Sequence, residues 1–257
     1  MKICFLLLDS TGGPWSQLYQ KGAVKTWLQD IGPDEFFFRY VGNKSNRYIS
    51  FAENWILGSS KFIKYWKLIN RKYLHQQPKA EFDGHYIRVD IRENWSTIGL
   101  KTQAAIKLIL NEEPKFDYIV RTNASTYIDV PKLHEILLNS IIEYGGPIEK
   151  DKSFVSGWGI ILNRNAAEKI VLLNSNEILS LFDDEAIGKI LYNFDISPKE
   201  IDFLKIDNVK TLENMDVGSI KNHIFIRAKA KIGRKRLDYD FLNAIHKIKI
   251  DGARETN

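Results

Sequence analysis

At 257 residues, the chain is long enough to bury a sizeable core, as one large α/β domain or two small ones. An apolar share of 44% against 27% charged residues is that of an ordered globular protein and excludes the disordered class. The net charge of +5 favours anionic partners such as nucleotide diphosphates or acidic headgroups, and the single cysteine, Cys4, excludes an intramolecular disulfide framework.

The first apolar run, Lys2 to Asp9 (KICFLLLD), reads as a buried strand. Asp9 interrupts it too early for a signal peptide or a membrane span, so the expectation is a cytoplasmic protein. A glycine-rich turn (STGGPW) follows, and a helix is expected from about Ser16 to Asp30, stopped by Gly32-Pro33. Phe36 to Gly42 and Tyr86 to Ile91 read as the next strands, and the aromatic, basic segment 59–74 between them as an amphipathic helix. A helix from about Leu100 to Glu112 leads to the strand DYIVRT and the polar turn Asn123-Ala124-Ser125. Pro131 marks the first turn of another helix, where its fixed φ and missing N–H cost least.

In the second half, FVSGWGIILN reads as a strand, followed by two helices ending near Tyr192 and a strand near IDFLKI. HIFIRAKAK is expected as strand and Leu237 to Ile248 as the closing helix. Strands alternating with helical segments predict a single α/β domain over 1–257 with a mostly parallel central sheet flanked by helices.

Two features have both a bland and a chemical meaning, and a third is marked by its position. Asp183, Asp184 and Glu185 open a helix, where negative charge suits the positive end of the dipole; equally, a carboxylate there could take a proton from a substrate. The glycines of Ser156-Gly157-Trp158-Gly159 could let a sugar approach while Trp158 stacks on it, or could mark a bulge beside a core tryptophan. Asp9, Ser10 and Thr11 sit where a strand ends in an open α/β sheet, the place where such sheets collect ligands.

Four of these segments, in order, resemble the β-1,3-galactosyltransferase and Fringe-like glycosyltransferases, which have the GT-A nucleotide-sugar fold. They are VDIRENWSTIGLKT (Val89 to Thr102), YIVRTNASTYIDVPKL, SGWGIILN (Ser156 to Asn163) and DDEAIG (Asp183 to Gly188). The resemblance implies an inverting transfer of a hexose or N-acetylhexosamine from a nucleotide sugar, with UDP the expected nucleotide. The acceptor would be a glycan or lipid-linked glycan hydroxyl in surface polysaccharide or glycoconjugate synthesis. The resemblance further implies a nucleotide-binding half over 1–125 and an acceptor and catalytic half over 126–257, with Asp184 the catalytic base beside Asp183 and Gly157 and Trp158 meeting the acceptor. The family's metal-binding aspartates are replaced here by Asn123-Ala124-Ser125, neutral groups that bind a hard cation weakly.

A site without those aspartates would need fixed cations, and Lys101, Arg121, Arg227 and Lys229 are the candidates, with Asn123 and Ser125 left to hydrogen-bond the donor. No cofactor is then required, Mn2+ or Mg2+ would be weakly bound, and His223 is the residue the resemblance offers as a metal ligand. The basic stretch Lys229 to Arg236 has the composition of a solvated face, or could contact the donor diphosphate or an anionic membrane surface carrying a lipid-linked acceptor. No nucleic-acid-binding motif is present. The alternative function is a non-catalytic nucleotide- or glycan-binding module derived from the same fold.

Overall fold

The computed structural model describes residues 1–10, 14–43, 77–93, 97–112, 116–172, 182–208, 217–232 and 235–254. The helix expected over 59–74 and Thr11 lie outside them.

Strands β1 (Ile3–Leu8), β2 (Phe36–Asn43), β4 (Tyr86–Arg92) and β5 (Tyr118–Asn123) form a parallel centre, with β2 and β5 on either side of β1. An antiparallel β3 (Ala80–Asp83) closes one edge against β4. On the other side β8 (Gly159–Asn163) runs antiparallel to β5, followed by β7 (Tyr144–Gly146) and β9 (Lys199–Glu200). Among the described residues the order is β3-β4-β2-β1-β5-β8-β7-β9.

β1 is apolar along its length because both faces are covered. Cys4 and Leu6 face one core, shared with α2 (Ile98–Asn111), α4 (Arg164–Leu172) and α5 (Asp183–Tyr192). Ile3, Phe5 and Leu7 face the opposite core, shared with α3 (Val130–Asn139) and the terminal helix α7 (Asp238–Arg254). The same side carries a second, small sheet in which β11 (Phe225–Ala228) lies between β10 (Phe203–Ile206) and β6 (Thr126–Ile128). A short helix, α6 (Val217–Asn222), precedes β11, and β12 (Lys231–Ile232) and β13 (Lys235–Arg236) pair as a two-stranded ribbon ahead of α7.

Three expected elements differ. The helix from Ser16 to Asp30 is instead α1 (Trp15–Lys21) followed by two 3-10 turns, Ala23–Lys25 and Trp27–Asp30. The break falls at Gly22, which packs under α7 so closely that a Cβ would meet Leu18 O at 2.5 Å and Leu242 Cδ1 at 2.7 Å. Thr26 Oγ1 donates to Gly22 O at 3.0 Å, drawing the chain away from helical pairing. Of FVSGWGIILN, only Gly159–Asn163 is strand; 156–158 is a turn, with Ser156 N donating to Pro147 O and Trp158 N to Ser156 O. HIFIRAKAK pairs only over Phe225–Ala228 in β11 before the chain turns into the ribbon.

The functional consequence lies at one edge. Because β1, β2, β4 and β5 are parallel, Asp9, Asn43, Glu93 and Asn123 all end there. β8 runs the other way, so the turn before it, Gly157-Trp158, reaches the same edge, with Gly159 opposite Thr122. The N-terminal turn of α5 arrives there too, since Asp183 meets Arg121 of β5.

Candidate active site

A cleft of about 870 Å³ opens at this edge, at the carboxyl ends of the parallel strands where open α/β sheets bind ligands. Every described residue singled out in the sequence as contacting donor or acceptor lines it; Thr11 lies outside the described residues. Asp183 and Asp184 line it as well. His223 does not. It precedes β11 at the end away from Arg227 and Lys229, with Nδ1 against Ser219 O and its carbonyl accepting from Lys249 Nζ.

The two aspartates have different surroundings. Asp183 is buried, and its Oδ2 lies 2.5 Å from Arg121 Nη2 and accepts from Thr102 Oγ1 at 3.2 Å. Arg121 also donates through Nε to Tyr40 Oη at 3.0 Å. Burial alone would lower the Arg121 pKa, but Asp183 and Tyr40 outweigh it and raise it, so the guanidinium is fixed in its charged form. Burial lifts the Tyr40 hydroxyl to about 12, keeping it a neutral bridge between Arg121 and Thr102.

Asp184, half-buried, points into the cleft. Its Oδ2 accepts from Gly157 N at 3.0 Å and its Oδ1 from Glu185 N at 2.9 Å. Gly157 is the residue that allows this approach, since a Cβ there would meet Arg121 Nη1 at 2.9 Å and Asp184 Oδ2 at 3.4 Å. Each carboxylate oxygen retains lone-pair capacity for a further donor. Asp184 is therefore an oriented, solvent-reachable proton acceptor, whereas Asp183 is spent on holding Arg121.

At the end of β5, Asn123 Oδ1 accepts from Ser125 N at 3.1 Å, Ser125 Oγ at 2.9 Å and Thr126 Oγ1 at 3.1 Å. This closes the polar turn on itself and leaves that oxygen nothing to offer a cation. The residues at the strand tip thus do not fit a divalent ion, and among the described residues no group of three or more His, Cys, Asp or Glu could hold a metal.

Of the four expected cations, two are tied up within the protein. Lys101 is buried, with Nζ 2.6 Å from Glu93 Oε1 and 2.9 Å from the Asp9 carbonyl, and Arg121 is held as above. The Asp9 carboxylate is paired with Arg39. Arg227 and Lys229 remain. Arg227 lies over the Trp158 ring at 5.7 Å, and neither it nor Lys229 has a carboxylate partner within salt-bridge distance among the described residues.

Burial lowers the pKa of Lys229, and the adjacent Arg227 and Arg236 lower it further. Lys205, which shares Glu149, and Arg236, which is paired with the buried Asp238, line the same wall, so the unmatched charge there is that of Arg227 and Lys229, which an anion would relieve. Trp158 itself is 1% exposed. Its ring packs edge-on to Phe203, with centroids 5.4 Å apart.

Sequence reasoning did not find Glu149, Lys205 or Trp15, which line the cleft; Arg236, the end of the basic stretch, lines it too. Lys205 lay within an expected strand, and Glu149 and Trp15 lay in polar or turn segments with no motif. Trp15 and Arg236 meet across the cleft, with the guanidinium 5.0 Å from the ring centroid.

Fold and cleft together define an α/β protein with a ligand-sized site whose walls have opposite charge. No protein-family model matches the sequence, and no curated protein is similar to it in sequence. The solved structures it resembles include the apo form of mouse xyloside xylosyltransferase 1, at 10% identity and a TM-score of 0.40, covering 88% of this chain and 97% of that one. A glycosyltransferase involved in glycosylation of the major capsid of PBCV-1 has 10% identity and a TM-score of 0.45, over 94% and 99% of the two chains. The glycosyltransferase GlyE of Streptococcus pneumoniae TIGR4 has 10% identity and a TM-score of 0.42, over 99% of this chain and 63% of its own. All three are glycosyltransferases.

Proposed function

We propose that the protein is an inverting glycosyltransferase that moves a hexose or N-acetylhexosamine from a UDP-linked donor to a glycan hydroxyl. The observation that carries this reading is the placement of Asp184, whose carboxylate is oriented by Gly157 N–H into the same cleft as Arg227 and Lys229. In the reaction, the acceptor oxygen forms a bond to the anomeric carbon as its proton passes to Asp184. The bond from that carbon to the diphosphate breaks, and UDP leaves with the electron pair. Arg227 and Lys229 stabilise the charge that grows on the leaving phosphate. The Asp183–Arg121–Tyr40 network fixes the first turn of α5 and so aims the base.

The test is a panel of nucleotide sugars read by nucleotide release. UDP should be released from at least one UDP-sugar, and Asp184→Asn should slow that release by about 10²–10⁴-fold while UDP still binds. UDP binding with no release in the wild-type protein would instead identify a binding module. Release should persist in excess EDTA, because fixed cations replace the ion; complete loss restored by manganese would refute the metal-independent reading.

A further inference from the structure

The turn 156–158 is held between two carboxylates, of which only one belongs to the acidic pair. On one side Gly157 N donates to Asp184 Oδ2 at 3.0 Å. On the other, Ser156 Oγ and Trp158 Nε1 donate to Glu149 Oε1 at 3.1 and 3.2 Å. A three-residue turn thus fixes the distance between Asp184 and Glu149, both of which line the cleft.

The two oxygens of Glu149 differ in what they have left to accept. Oε1 is occupied by the turn. Oε2 has Lys205 Nζ at 3.3 Å, and the side chain lines the cleft with 27% of its surface exposed, so that oxygen keeps capacity for a further donor. Burial would raise the carboxyl pKa, but the Trp158 hydrogen bond with Lys152 and Lys205 outweighs burial and lowers it to about 2. The group is therefore an anion and an acceptor only, so its ligand must bring a donor such as a hydroxyl; a phosphate oxygen would be repelled.

Position decides which hydroxyl. Glu149 is tied through the turn to Asp184 and through Oε2 to Lys205 of the basic wall, close enough to Arg227 to oppose the fall in its pKa. In glycosyl transfer the reacting line runs from the base through the acceptor oxygen and the anomeric carbon to the leaving diphosphate, and a carboxylate beside the cations that meet the diphosphate lies at the transferred-sugar end of that line. We propose that Glu149 is a positioning and specificity residue that accepts a hydrogen bond from a hydroxyl of the transferred sugar, an inference that rests on the glycosyl-transfer reading above. A charged acceptor suits this task because a hydrogen bond to an ionised group is stronger than one between neutral groups.

The experiment compares calorimetric affinities for UDP and for UDP-glucose, UDP-galactose and UDP-N-acetylglucosamine, in the wild-type protein and in Glu149→Gln. Affinity for the turned-over UDP-sugar should fall about 10- to 100-fold in the variant. UDP affinity should stay the same or rise, because a negative charge has left the vicinity of the diphosphate. A UDP-sugar affinity that does not change, or that falls in parallel with that of UDP, overturns the assignment of Glu149 and leaves the transferase reading standing. Failure of the wild-type protein to bind UDP takes down both. Should Glu149→Gln not fold, Ser156→Ala removes one of the two donors that hold Oε1 and so loosens the orientation of the carboxylate without removing its charge. A loss of about threefold or more confined to the UDP-sugar is then expected, and an equal loss for UDP and UDP-sugar counts against the proposal.

Discussion

The two sides of the cleft hold positive charge in opposite ways. On the large-sheet side, Arg39, Lys101 and Arg121 are buried and each is matched to a carboxylate, Asp9, Glu93 and Asp183 respectively. On the small-sheet side, Arg227 and Lys229 have no such partner among the described residues, and Lys205 shares Glu149 from a side chain that is 42% exposed. The first set is construction, since buried ion pairs contribute little net stability but fix geometry. The second is open to a ligand. A count of cations along the sequence cannot tell the sets apart; the difference lies in which carboxylates the fold brings beside each one.

Breaking the paired side should have the largest effect. Arg121→Ala leaves Asp183 buried without its counter-charge and should cost about 3–5 kcal/mol of stability, read as a fall in the urea midpoint. Replacing Arg227 and Lys229 together by Ala should leave that midpoint nearly unchanged while UDP affinity drops about tenfold or more, roughly 1.4 kcal/mol. The salt dependence of binding should flatten in parallel. Equal losses of stability in both experiments would erase the distinction between the two sides.

The smallest effect concerns pH. The folded-state pKa of Glu149 is lowered from 4.5 to about 2, so its ionised form contributes stability that is present above the unfolded value and is lost as pH falls from about 4.5 towards 2. Stability measured across that window should decline less steeply in Glu149→Gln than in the wild-type protein. The partial exposure of the side chain keeps the difference small.

Much of the large sheet was legible in the sequence, because β1, β2 and β5 are continuous apolar runs and α3 announces itself through Asp129 and Pro131. Asp184, the proposed base, stood out in the sequence through the acidic start of α5 and the resemblance around it. The basic wall was legible only in part. Arg227 and Lys229 were named, yet their position depends on β11 pairing with β6, where Arg227 lies opposite Thr126 across almost a hundred residues of chain; no local pattern encodes such a pairing. Lys101 and Arg121 were named for the wrong availability, since their carboxylate partners come from Glu93 and Asp183, which spacing alone does not place. Glu149 gave no signal at all, because a lone glutamate among lysines in a polar loop has the composition of solvated surface.

The pairing of β11 with β6 also sets an order in time. During synthesis the chain makes β1 to β8 before the residues that complete the basic wall have left the ribosome. Arg227, Lys229 and Arg236 then dock late, locked by α7 through Lys249, whose Nζ lies 2.6 Å from Asp129 Oδ2 at the start of α3. A nascent chain arrested before β11 would carry Asp184 but not Arg227 and Lys229, so the proposed contacts to the diphosphate could not form until β11 has been made.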